Sequence, residues 1–284
     1  MKALPLLLAV GSLAIGTAQA RTVVLTPGDV TNGIEINAAI DQATQYGTEP
    51  GKVVFDGQHT GFSCFIGEDS PDSSKLTYIQ YSNLQLVGIN GADTGIGICN
   101  VLFADAPLEN ILIEGLKIDS FIEEGTGISA PGLSVRRNVT IRKNDISGAM
   151  ALQAFNAVDW KIYSNTMGRS RDIVVSLVGM QDSEIIGNTI SGFPGILMSS
   201  SPTQDTTGNR LIANRFSDSQ GITLRGAASR NIVALNTGEC PVVVLESATT
   251  QNKVLFNRAP SATCGPYGAV QDLGSGNKLF GNKP

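Results

Sequence analysis

The sequence predicts an all-β fold, a parallel β-helix solenoid closed at its N-terminal end by a short helix. Three observations predict it. A six-residue phrase ending in asparagine recurs along the chain, and apolar residues within each copy alternate with period two. Glycine is abundant (32 residues) and charge is sparse (16%), a composition suited to short strands and tight turns.

The full copies of the phrase are Val139–Asn144, Trp160–Asn165, Ser183–Asn188, Asn209–Asn214, Asn231–Asn236, Asn252–Asn257 and Asn277–Asn282. Two earlier copies, Asn83–Gly88 and Asn110–Gly115, end in glycine. Successive copies start 21 to 29 residues apart, the length of one solenoid coil. Within a copy the third position is apolar (Ile141, Ile162, Ile185, Leu211, Val233, Val254, Leu279), and another apolar residue often follows the asparagine by two (Ile146, Met167, Ile190, Phe216). Such alternation marks strands with one buried face. A third strand follows a small residue or proline, as in Gly195-Ile-Leu-Met, Gly221-Ile-Thr-Leu and Pro241-Val-Val-Val-Leu. Three short strands per coil therefore enclose a narrow apolar core. Trp160 falls at an inward position and reads as core.

The recurring asparagine is placed at a bend. It tolerates left-handed backbone, and its amide can bond to the same side chain one coil away. Asn144, Asn165, Asn188, Asn214, Asn236 and Asn257 are expected to stack as a ladder. Solenoid ends need caps, and a helix over residues 34–43 supplies one. Thr31 or Asn32 would cap it, with Ile36, Ala39, Ile40 and Ala43 on its inner face.

Residues 1–20 read as a secretory signal. Lys2 is followed by a nearly unbroken apolar run from Leu4 to Ile15 and the small-x-small site Ala18-Gln19-Ala20. Residues 21–284 are then one β-helix domain, secreted or periplasmic, with no membrane span left after signal removal. The four cysteines, Cys64, Cys99, Cys240 and Cys264, suit disulfides in an exported chain. Four cysteines allow three connectivities, and proximity favours Cys64–Cys99 and Cys240–Cys264. Their spacing does not fit zinc, and the lone histidine, His59, reads as structural. A net charge of −5 argues against a nucleic-acid partner but leaves room for a local basic stripe facing a polyanion.

Thr26-Pro27-Gly28-Asp29, the Ala38-Ala39-Ile40-Asp41 helix, Val53-Val54-Phe55 and the repeated phrase together resemble the pectate lyase–like right-handed parallel β-helix superfamily. The resemblance covers nearly all of residues 22–284. It implies a carbohydrate partner outside the cell, because the superfamily includes lyases, hydrolases and epimerases of acidic polysaccharides beside phage tail fibres and adhesins. It also implies a site in a groove along one parallel sheet, under long loops. Three motifs of its enzymes are missing: the Gly-His-Gly of polygalacturonase-like hydrolases, the Trp-Ile-Asp-His of pectate lyases and the Asp-Pro-His-Asp of mannuronan epimerases.

Chemistry narrows the search. A lyase needs a base and a cation that neutralises the substrate carboxylate, and a glycosidase needs two opposed carboxyls. Aligning the third strands puts Ser176, Ser199, Arg225, Glu246 and Gln271 in one outward column. Arg225 and Glu246 are the catalytic candidates there, either as an inter-coil ion pair or with Arg225 gripping a substrate carboxylate. Arg169 and Arg171 with Asp172 form a second, substrate-binding candidate in a loop. Arg136-Arg137 with Arg142-Lys143 reads as a solvated basic patch. Asp119, Glu123 and Glu124 supply oxygen ligands that suit calcium, with no EF-hand or Gly-Gly-x-Gly-x-Asp repeat to support it. The fourth positions of the phrase (Tyr163, Ile186, Ile212, Ala234, Leu255, Phe280) form an apolar stripe, expected to meet a second copy or a covering loop. The leading expectation is a lyase or epimerase acting on an acidic polysaccharide. The alternative is a non-catalytic protein that binds polysaccharide or serves as a rigid wall or surface element.

Overall fold

The computed structural model describes residues 20–26, 33–57, 76–90, 97–98, 100–119, 125–168, 173–218, 220–239, 241–259 and 268–283. The first nineteen residues of the expected signal, all four cysteines, His59, Glu123, Glu124 and the Arg169–Asp172 cluster lie outside them. No helix among the described residues is long and apolar enough to cross a membrane.

Among the described residues the coils stack their strands into three parallel sheets of 12, 6 and 9 strands, and the last coils join the second sheet only through single bridges at Thr237, Arg258 and Lys283. One coil shows the path. Lys161–Tyr163 lies in the first sheet, Thr166–Gly168 in the second and Val175–Val178 in the third, and Glu184–Ile186 re-enters the first. Pairing is parallel throughout, and Ile141, Ile162, Ile185, Leu211, Val233, Val254 and Leu279 lie in one row. The fold is therefore a right-handed parallel β-helix, as the repeat predicts. All but the last of that row are fully buried, while Leu279 on the final described coil is 45% exposed. The apolar residues following the asparagines, Ile146, Met167, Ile190 and Phe216, are buried as well.

The single helix spans Gly33–Thr44 and packs Ile36, Ala39, Ile40 and Ala43 against the first strands. Asn37 ties it to the neighbouring strand, accepting from the Tyr78 N–H at 2.8 Å and donating to the Leu76 carbonyl at 2.9 Å. The inner-face residues agree with the expectation. The proposed caps Thr31 and Asn32 lie outside the described residues.

The asparagine ladder is present and fully buried from Asn144 to Asn257. Each member gives its backbone N–H and a side-chain N–H to Oδ1 of the next, at 2.9–3.1 Å, through to Asn282. The second side-chain N–H goes to a main-chain carbonyl of the preceding coil, as from Asn165 to Ile141. The left-handed backbone, however, belongs to the residue before each asparagine: Lys143, Ser164, Gly187, Ala213, Leu235 and Phe256 have φ between 53° and 66°. The asparagine is thus placed by its amide and not by tolerance of the bend. Gly115, at φ 69°, aligns with Lys143, and Leu116 fills the asparagine slot, donating its N–H to Asn144 Oδ1 at 2.9 Å. The early copies are accordingly offset by one residue. Asn83, Asn110 and Asn138 are themselves left-handed and form an outer ladder with bonds of 2.8 and 2.7 Å.

A second internal ladder lies on the other side of the first sheet. Asn209, Asn231, Asn252 and Asn277 occupy the first position of the phrase and repeat the same two-donor link. Ser183 begins it by donating its N–H to Asn209 Oδ1. The two ladders flank the strand Arg210–Ile212 and its successors, fixing both corners of the first sheet.

Candidate functional site

The outward face of the third sheet holds the described site candidates. Its strands align Ser129, Gln153, Ser176, Leu197, Thr223, Val244 and Gln271 in one column. Val178, Ser199 and Arg225 form the next column, and Glu246 continues it one coil on. Ser176 and Gln271 therefore stand two residues away from the column of Arg225, a correction to the alignment expected from sequence. Ser199 keeps its expected place beside Arg225.

Arg225 and Glu246 are brought together as the repeat predicts. The Arg225 Nε–H is shared between the two carboxylate oxygens at 3.0 and 3.1 Å. The arginine side chain is 56% exposed and the glutamate 34%, so the pair sits in high dielectric and contributes about 1 kcal/mol or less. Among the described residues the terminal nitrogens of Arg225 make no hydrogen bond. The guanidinium thus keeps outward-facing donors beside a carboxylate that orients it.

Asn156 Oδ1 accepts from the Ser201 hydroxyl at 2.9 Å, tying the loop after one coil to the corner of another. A further tie comes from Arg136, which the sequence assigns to a solvated patch. Arg136 is fully buried and donates to the carbonyls of Ala104, Ala130, Pro131 and Ser134, with Asp105 at 3.7 Å. Burial lowers its pKa, partly countered by Asp105. Arg136 is therefore a clamp on the loop 131–135, and that loop flanks the third sheet. Its neighbour Trp160 is also buried, donating Nε1–H to the Arg136 carbonyl at 3.0 Å. Of the rest of the expected basic patch, Arg137 is exposed, and Arg142 and Lys143 reach Glu114 at 2.7 and 3.1 Å.

On the first sheet the apolar stripe is in register from Tyr163 to Phe280. Most of it is half-buried. Tyr163 donates its hydroxyl to Glu184, which also receives Arg210 Nη1 at 2.7 Å. Burial first, then the Glu184 carboxylate, pushes the Tyr163 phenol up to about 12. Its last member, Phe280, is 65% exposed, and two further exposed apolar groups, Leu235 (55%) and Phe256 (50%), lie one position further on, at the corner. Their signal in the sequence is the fifth position of the late copies, which turns from small or polar to bulky and apolar. Among the described residues no group of three or more acidic, histidine or cysteine side chains is placed to hold a metal ion.

No protein-family model and no curated protein matches the chain in sequence. Solved structures do match in fold. ORF18 of Geobacillus virus E2 superposes with a TM-score of 0.57 at 14% identity, over 91% of this chain and 52% of the viral one. The chain thus spans about half the length of that protein. The surface protein and adhesin PfbA of Streptococcus pneumoniae gives a TM-score of 0.46 at 15% identity, over 92% and 99% of the two chains. The A-module of the Azotobacter vinelandii mannuronan C-5 epimerase gives 0.45 at 14%, over 90% and 86%. What the likeness shows is the fold, a parallel β-helix.

Proposed function

We propose that the chain is an exported β-helix protein that holds an acidic polysaccharide along the outward face of its third sheet without cleaving it. The Arg225–Glu246 pair carries this reading. A carboxylate whose two oxygens share the Nε–H of a neighbouring arginine is poorly disposed to take a proton from a sugar carbon or give one to a leaving group. The same carboxylate fixes the guanidinium, whose free donors suit a sugar carboxylate. Beside it, Ser129, Gln153, Thr223 and Gln271 offer hydroxyl and amide partners along the axis. Adjacent coils lie about 4.8 Å apart, close to the length of one sugar in an extended chain.

Export rests on the signal-like residues 1–20, and with it oxidised Cys64–Cys99 and Cys240–Cys264 pairs. A non-reducing peptide map joining Cys99 to Cys240 would sink that connectivity. Arg169, Arg171 and Asp172 precede the strand Val175–Val178 in sequence and belong to the same proposal, as a second grip on the acidic sugar.

The test is affinity electrophoresis in gels containing alginate, pectate or a glycosaminoglycan. Retardation by at least one of them is expected, and Arg225→Ala should weaken it about tenfold, the loss of one charge-assisted contact. Unchanged retardation of the variant would overturn the reading. So would growth of ultraviolet absorbance from unsaturated sugar ends, which would assign lyase activity instead.

A further inference from the structure

The corner between the first and second sheets is convex, and in the last coils it becomes amphipathic. Leu235 and Phe256 protrude from successive left-handed positions, each at least half exposed. Phe280, 65% exposed, extends the ridge and meets Phe256 edge-on at 5.3 Å. Cations line both flanks. Lys253 and Lys278 pair in register on the first-sheet side. On the second-sheet side Arg215, Arg258 and Lys283 follow one another, with Thr237 between the first two. All five are exposed, and among the described residues none forms an ion pair.

We propose that this corner attaches the protein to an anionic lipid bilayer. A ridge offers no concave surface to grip a polymer or peptide. A second copy laid face to face would set five cations against five more, a repulsive arrangement. A soft anionic interface satisfies both features: aromatic and leucine side chains enter the boundary between headgroups and acyl chains, while lysine and arginine on either side reach phosphates. The ridge follows the axis of the solenoid, so attachment lays the rod along the membrane. The third sheet is a separate face, and the inference does not depend on polysaccharide binding there.

Co-sedimentation of the full chain with vesicles tests it. Binding is expected to vesicles of phosphatidylglycerol mixed with phosphatidylcholine and to fall steeply with salt, with little binding to phosphatidylcholine alone. Lys253→Glu with Arg258→Glu should weaken partitioning at least about tenfold. Leu235→Ser with Phe256→Ser should weaken it to a similar degree, about tenfold, by removing buried apolar area. All four side chains are exposed, so both variants should keep the wild-type melting temperature, and Arg225→Ala should bind vesicles normally. Failure of the wild type to bind anionic vesicles, or equal binding by either double variant, would overturn the proposal. A concentration-dependent dimer abolished by Leu235→Ser with Phe256→Ser would assign the ridge to self-association. Loss of polysaccharide retardation in these variants would assign it to the glycan.

Discussion

Asn165 directs two donors, its backbone N–H and one side-chain N–H, at a single atom, Oδ1 of Asn188, at 2.9 and 3.0 Å. Asn188 does the same to Asn214 and sends its other amide hydrogen to the Ile162 carbonyl at 2.9 Å. Every link points toward the C-terminal coils, so successive amide dipoles align and polarise one another. Asn188→Ala would strand two buried donors on Asn165 and take one donor from the Ile162 carbonyl. At about 1–3 kcal/mol for each unsatisfied group, a loss of about 3 kcal/mol or more is expected. Asn282→Ala, on a half-buried coil that water reaches, should cost about 1 kcal/mol. Calorimetric unfolding of the two variants should show that order.

Arg136 clamps its loop through four carbonyls with no side chain of matching burial to neutralise it. Arg136→Leu would take this donor from the carbonyls of Ala130, Pro131 and Ser134, while Ala104 keeps the Ala106 N–H, and about 3 kcal/mol of stability should go with it. Arg136→Lys keeps the charge but cannot span four acceptors, because an ammonium lacks the planar fork. It should recover less than half of the loss in denaturant titrations.

The inward rows could be read from the sequence because each coil must fill the same slot. Ile141, Ile162, Ile185 and Leu211 are apolar for one reason and buried for the same one. Strand register is less legible in this sequence than strand position. Moving Ser176 by two residues leaves every inward residue inward, so alternation cannot reveal the slip, whereas a slip of one residue would turn the strand over. Arg225 and Glu246 do align, because Leu224 and Leu245 before them are register partners. The first-position asparagines 209, 231, 252 and 277 stand in the same phrase, yet an asparagine at a turn fits solvent as well as a ladder. Burial separates the two readings. Arg136 is indistinguishable from Arg137 by type, and only strand direction sends one into the interior and leaves the other outside.

The Tyr163 phenol gives the fold a signature at high pH. Its folded pKa is raised from 10.0 to about 12, with burial the larger cause and Glu184 the second. Between those values the native state holds a proton that the unfolded chain has released. Stability is thus fully present below pH 10 and declines as pH rises toward 12. Tyr163→Phe should flatten that part of the profile. Tyr81, also raised by burial and by Asp41, would remain as a second late-titrating phenol. Denaturant midpoints measured across this window, together with tyrosinate absorbance, check the expectation. A profile unchanged by the substitution would remove Tyr163 from the account.

Gly221 sits at φ 74° immediately before the strand that carries Arg225. A Cβ there would lie 2.2 Å from the Val242 carbonyl oxygen, which accepts from the Ile222 N–H at 2.9 Å. The clash is with backbone, so relief parts the two coils at the start of the strand whose far end brings Arg225 to Glu246. Gly276, at φ 65° with open space around the added carbon, isolates the conformational cost alone. Gly276→Ala should lose about 1–2 kcal/mol, the penalty of left-handed backbone. Gly221→Ala should lose about 3 kcal/mol or more, because the displaced backbone adds to the same penalty. It should also weaken polysaccharide retardation toward the level of Arg225→Ala, with Gly276→Ala retarded normally. Equal stability losses in the two variants would mean that the coils part freely there, and the close packing would have no part in holding Arg225 against Glu246.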